Sequence, residues 1–163
     1  MSELVRDRIV VNGPPAEVWA ILEDPAALGR VLPGAEWVAA TGPGRFHGVL
    51  ATRIQFLTVR AEVDASFHDA DPPRHLRLRL DGRPRGLAGS FSVSIPFDLE
   101  PADGPAGPGS RTEVRYTVDL HVTGRLAVLG VPLLRDTMRR QIGVLVANVD
   151  RDLRAAADRP SDA

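Results

Sequence analysis

The sequence contains no cysteine, which excludes disulfides, thiolate metal sites and a cysteine nucleophile together. Lysine is missing as well: all 20 basic residues are arginine, a pattern read as coding bias before chemistry. Without a phosphate-binding lysine or a Gly-x-Ser-x-Gly elbow, nucleotide-binding and serine-hydrolase readings have no anchor. An excess of one charge sign is lacking too. At a net charge of −1, bulk electrostatics do not recruit nucleic acid. The longest apolar run near the end, Ile142 to Val149, is broken by Gly143 and Asn148. It falls far short of the ~20 residues a spanning helix needs. Met1 to Val11 carries Glu3, Arg6, Asp7 and Arg8 and no apolar signal-peptide core. These features predict a cytoplasmic protein without a transmembrane segment. A chain of 163 residues fits one domain, and such a domain buries roughly 70% of its unfolded surface without a covalent staple.

What is present is a change of period along the chain. Val5 to Val11 reads as a strand closed by Asn12-Gly13-Pro14-Pro15. Pro14 and Pro15 suit the first turn of a helix, and Val18, Trp19 and Leu22 follow at helical spacing up to Asp24-Pro25. A second short helix runs from Pro25 to Leu32, stopped by Pro33-Gly34. From Trp37 to Thr123 the period becomes two. Leu57, Val59, Ala61, Val63, Ala65 and Phe67 alternate with polar residues, as do Leu76, Leu78 and Leu80. The same holds for Phe91, Val93, Ile95, Phe97 and Leu99, and for Val114, Tyr116, Val118, Leu120 and Val122. Such alternation gives antiparallel strands with one wet and one apolar face. Gly42-Pro43-Gly44, Asp71-Pro72-Pro73, Asp81-Gly82 and a loose Pro101 to Gly109 loop supply the turn signals. After Gly124 the helical period returns, with Val131, Leu134, Met138, Ile142, Leu145, Val149 and Leu153 on one stripe. Gly130 and Pro132 are positioned to kink this helix near its start.

The order is strand, two short helices, about six strands, one long helix. It predicts an α+β fold over residues 1–156, with a curved antiparallel sheet wrapped around the C-terminal helix, and a disordered tail at residues 157–163. A twisted sheet is not matched everywhere by one helix, so space for a ligand is expected between them. Candidate ligand-binding residues on the inward faces are Phe91, Val93, Tyr116, Val118, Leu134, Met138 and Ile142. Tyr116 stands out because a phenol in an apolar cavity wants a hydrogen-bond partner, which a ligand carbonyl supplies. No catalytic residue, metal or cofactor is assigned. His47, His68, His75 and His121 are the only histidines, with no i, i+4 pair, and three of them take the polar side of strands. They read as solvated surface groups. Gly42, Gly44 and Gly48 have the wrong spacing for a phosphate cradle and read as a turn. Arg74, Arg77, Arg79, Arg83 and Arg85 cluster on one strand and its turn. They read as a wet face offset by acids on other strands, against the alternative of a docking patch for an acidic partner or an anionic membrane.

The element order is that of the helix-grip fold of START domains and birch-allergen-like proteins, the SRPBCC superfamily. The residues resemble a narrower group. Val18-Trp19, Leu22, Asp24-Pro25, Leu28 and Leu32-Pro33-Gly34 resemble the CoxG family of carbon monoxide dehydrogenase subunits. Phe46 with Gly48, Asp71-Pro72-Pro73, the Gly82 to Gly89 segment and Gly124 to Gly130 extend the likeness from about Ile9 to Leu153. Two departures are the missing Gly-Pro opening of the strand expected from Gln55-Phe56, and the want of the membrane-associating extension of many members. The resemblance implies a non-catalytic accessory protein that binds a hydrophobic, quinone-like molecule and serves a molybdenum hydroxylase complex. Peripheral membrane contact is compatible with it. The rival on the same fold is an enzyme of the polyketide cyclase/dehydrase kind, which would show titratable groups facing the cavity. A third reading is a structural adaptor whose cavity is filled by side chains.

Overall fold

The computed structural model describes residues 2–102 and 110–157. Strand β1 (Ser2–Val11) is followed by α1 (Pro15–Glu23), α2 (Pro25–Val31) and six further strands: β2 (Ala35–Gly42), β3 (Arg45–Ile54), β4 (Leu57–Asp71), β5 (His75–Pro84), β6 (Phe91–Pro101) and β7 (Thr112–Val122). A 3-10 segment (Gly124–Leu129) leads into α3 (Val131–Ala157). All seven strands form one sheet in the order β1-β7-β6-β5-β4-β3-β2, and every neighbouring pair is antiparallel. This is the predicted helix-grip architecture. Most of the expected tail, and residues 103–109 of the expected loose loop, lie outside the described residues.

Local chemistry sets the boundaries. Pro15 and Pro25 open α1 and α2, where a missing amide proton is harmless, and the Asp24 carboxylate caps α2 by accepting from the Ala26 N–H at 3.0 Å. Gly130, at φ 84°, separates the 3-10 segment from α3. The expected kink is therefore a break before the helix, and Pro132 falls within its first turn, where it is tolerated. Val131, expected at the head of the apolar stripe, is 53% exposed because the stripe turns inward only from Leu134.

Two expectations on turns are corrected. Asp81-Gly82 lies inside β5, not at a turn. The Phe91 ring on β6 lies over Gly82, and a Cβ there would collide with the ring edge. Aromatic cover of a strand glycine keeps the ladder continuous. Gln55-Phe56 does not begin a strand; it is the two-residue tip of the β3–β4 hairpin, with Gln55 at φ 55°.

The polar face is wet, and four of the five clustered arginines are neutralised, Arg83 being the exception among the described residues. Arg74 pairs with Asp71, Arg77 with Asp69, Arg79 with Asp81 and Arg85 with Glu62. Asp69, Asp71 and Glu62 lie on the neighbouring strand β4, and Asp81 on β5 itself. His47 and His75 hydrogen-bond to Asp64 and Asp98, and His68 to Ser66.

Under the sheet, α3 packs on β1, α2 and α1. Its C-terminal half is fixed by polar ties: the Asn12 N–H donates to Asp150 Oδ1 (2.8 Å), Arg30 Nε to Asp152 Oδ1 (2.7 Å) and Asn148 Nδ2 to the Val31 carbonyl (3.1 Å). Leu153 rests on Gly13, where a Cβ would lie 3.0 Å from both its methyls. Thr112, fully buried, donates to the Gly13 carbonyl at 2.6 Å. Thr112→Val should leave that carbonyl unsatisfied and cost about 1–3 kcal/mol in a urea melt. A loss below a few tenths would mean that this bond does not anchor the β1–α1 turn.

Candidate functional site

The apolar interior divides along α3. Toward its C-terminal half, Val11, Val18, Ile21, Ala27, Val31, Leu99, Val114 and Leu153 form one buried cluster, flanked by Leu145, Val146 and Val149. Above this cluster opens a cavity of about 1090 Å³, part of it open to solvent. Its floor comes from α1, α2 and the residue after it (Val18, Ile21, Leu22, Leu28, Val31, Leu32), its roof from strands β1 to β7, and its side from Leu145, Val146 and Val149. The roof includes Phe46 and Phe67, whose ring centroids lie 5.3 Å apart.

His47 is the one titratable residue along this wall. Its imidazole is engaged by the exposed Asp64 carboxylate at 2.7 Å and leans on Trp37 at 5.4 Å. Nothing else along the wall donates or withdraws a proton. Among the described residues, no group of three or more His, Asp or Glu could hold a metal ion. The site can therefore enclose hydrocarbon, and it offers no acid–base pair for chemistry on it.

Toward the N-terminal half of α3 the packing differs. Val93, Tyr116 and Val118 are buried together with Leu4, Val5 and Ile95, and Phe91, Leu134, Met138 and Ile142 pack on them. All seven residues singled out from the sequence thus meet in one cluster. Phe91, Leu134 and Met138 line a smaller cavity of about 640 Å³, together with Leu50, Thr52, Ile54, Val59 and Leu126. Thr137 also borders it, but its hydroxyl donates to the Leu133 carbonyl at 2.8 Å. None of the seven lines the larger cavity, whose α1, α2 and β3–β5 residues were not among the candidates. Leu50 borders both spaces.

Tyr116 is buried against Phe97, with ring centroids 6.3 Å apart. Its hydroxyl makes no hydrogen bond to the described residues and its oxygen is not fully buried. Burial pushes its pKa above the ordinary tyrosine value, the Asp7 carboxylate pushes it further, and Arg139 partly offsets both. The phenol stays a neutral donor.

Residues 8–154 match the CoxG family of carbon monoxide dehydrogenase subunits. The chain belongs to the CoxG family. No curated relative matches it. Among solved structures, a conserved protein from Geobacillus kaustophilus is 21% identical, with a TM-score of 0.79 over 91% of this chain and 93% of that one. A START superfamily protein from Mycobacterium smegmatis is 12% identical, with a TM-score of 0.70 over 95% of this chain and 99% of that one. The Zhui aromatase/cyclase from Streptomyces sp. R1128 is 16% identical, with a TM-score of 0.67 over 97% and 96%. At these identities the solved structures establish the START-like fold alone. Among the described residues, no helix of this CoxG-family chain is long and apolar enough to cross a membrane.

Tyr116 is the only tyrosine, so tyrosinate absorbance reports on it alone. A spectrophotometric titration should give a midpoint above the ordinary value of about 10 in the folded protein and near it in guanidinium. The raised pKa contributes stability that is complete below about pH 10 and is lost as pH rises through the folded midpoint. Tyr116→Phe should remove that alkaline loss. Equal midpoints in the folded and unfolded states would place the phenol in water.

Proposed function

We propose that this CoxG-family protein is a non-catalytic carrier that holds a hydrophobic, quinone-like molecule in the space between α3 and the sheet. In the cytoplasm it would serve a carbon monoxide dehydrogenase-type molybdenum hydroxylase. The observation that carries the reading is the wall of the larger cavity: apolar from α1 through β7, with its single histidine engaged elsewhere. The larger chamber takes the apolar bulk of the ligand. The cluster of Phe91, Val93, Tyr116, Val118, Leu134, Met138 and Ile142 borders the second part of the site, and Tyr116 donates to a ligand carbonyl. From Leu134 to Val149 the helix spans about 22 Å at 1.5 Å per residue, enough for an elongated molecule to run past Leu50 from one chamber to the other. A cyclase on this fold would need titratable groups facing the ligand, and the single one along this wall, His47, is engaged by Asp64.

The test uses a decyl-substituted benzoquinone as probe, with quenching of Trp19 and Trp37 as the signal. Leu145→Trp should fill the larger chamber and weaken binding about tenfold or more, with only modest loss of stability, since the space it enters is empty. Met138→Trp should act in the same direction from the smaller chamber. Tyr116→Phe should cost about 0.5–1.5 kcal/mol of affinity, one neutral hydrogen bond. If Leu145→Trp overpacks instead, costing about 1–3 kcal/mol of stability with no binding to lose, the chamber is core and the carrier reading fails.

A further inference from the structure

We infer that Thr52, Thr137 and Gln141, along the seam between α3 and β3, hold the oxygen-bearing end of the ligand. This subsite rests on the carrier reading and gives it an orientation, with the polar end in the smaller cavity and the apolar chain in the larger. Leu50, Thr52 and Ile54 alternate on the inward face of β3, and all three line the smaller cavity. Thr52 is the polar member of that row. Its hydroxyl makes no hydrogen bond to the described residues, and its oxygen is not fully buried. A valine of the same shape would occupy this position with no hydroxyl to desolvate. The threonine instead turns a free donor and acceptor toward an otherwise apolar space, where water or a ligand has to satisfy it.

Helix α3 supplies the other two groups. It packs on β1, α1 and α2, and Arg140 ties it to β3 by donating to the Arg53 carbonyl at 2.9 Å. Thr137 borders the smaller cavity from the helix side. Its proton is committed to the Leu133 carbonyl at 2.8 Å, so toward the cavity its oxygen can only accept. Gln141 follows one turn later on the same flank of the helix, ahead of Asn148, which donates to the Val31 carbonyl. The Gln141 side chain is half-buried and makes no hydrogen bond to the described residues. Together the three offer donors, the Thr52 hydroxyl and the Gln141 amide, and acceptors, the Thr137 oxygen and the Gln141 carbonyl. That set suits a ring bearing a carbonyl or a hydroxyl, and it has no charge of its own to pair with a carboxylate or phosphate. The larger cavity lacks such groups, since its wall is apolar apart from His47, which Asp64 engages. Leu50, the next inward residue along β3, borders both spaces, so a tail on a ring held at Thr52 passes it into the larger one.

Two probes separate the polar end from the tail. One is the decyl-substituted benzoquinone; the other is decylbenzene, the same tail on a ring without oxygen, measured by its displacement of the quinone. Wild-type protein should bind the benzoquinone more tightly. Thr52→Val should weaken the benzoquinone about two- to tenfold, the loss of one neutral hydrogen bond, and leave decylbenzene unchanged. Gln141→Leu should act in the same direction. Thr52→Ser, which keeps the hydroxyl, should bind close to wild type. In a urea melt Thr52→Val should be at least as stable as wild type, because the hydroxyl it loses makes no hydrogen bond to the described residues. Equal benzoquinone affinity in wild type, Thr52→Val and Gln141→Leu would overturn the subsite and leave the carrier reading standing, the seam then being a hydrated edge of the cavity. Weakening of both probes in Thr52→Val, or a clear loss of its stability, would also overturn it, by giving the hydroxyl a structural role. Wild-type protein that binds neither probe would remove the carrier reading and the subsite together.

Discussion

The inner face of the sheet is apolar along every strand from β3 to β7, and one helix has to cover it. That mismatch governs the rest of the structure. Helix α3 lies against β1, α1 and α2, because those elements supply both apolar contacts and polar ties to it. Close packing there leaves the inward side chains of β3, β4 and β5 without a helix upon them. Their exposure to water would be costly at about 25 cal/mol per Å². The short helices α1 and α2 close the far side, and the uncovered area becomes the wall of a cavity. Apolar space left unfilled costs stability, and a bound hydrophobic molecule would recover it. The geometry of covering a sheet supports the carrier reading proposed above.

Polar groups do little inside and much at the edges. Every fully buried side-chain nitrogen or oxygen among the described residues has a partner. The bonds that matter for the site, from Thr112 to Gly13, Arg30 to Asp152 and Asn148 to Val31, hold α1, α2 and α3 around the cavity and do not enter it. On the outer face, arginines and histidines meet carboxylates across and along the strands. Such exposed pairs add little stability singly.

Much of the architecture was legible in the sequence because it depends on local period. Alternation in β4, β6 and β7 and the stripe from Leu134 to Leu153 gave the layers, and Pro15, Pro25 and Gly130 gave the breaks. What was not legible depends on distant residues. Asp81-Gly82 carries a turn dipeptide, yet Phe91 on the next strand covers the glycine and the strand runs on. Gln55-Phe56 has no Gly, Asn or Asp, so nothing local marked it as a hairpin tip. The inward-facing candidates around Tyr116 and Met138 came from two periodic elements read side by side, and they do meet. The larger cavity was missed because which inward residues stay uncovered depends on the path of α3. The apolar spacing of Val18, Leu22, Leu28 and Leu32 in two short helices was the available signal that these helices also face the interior.

The central claim is that the space between α3 and the sheet is occupied by a hydrophobic molecule in the living cell. Native mass spectrometry of the protein purified from its own host tests it most directly. The account predicts a discrete added mass from a lipophile, released on unfolding. A spectrum of the bare polypeptide alone, from gently handled protein, would contradict it.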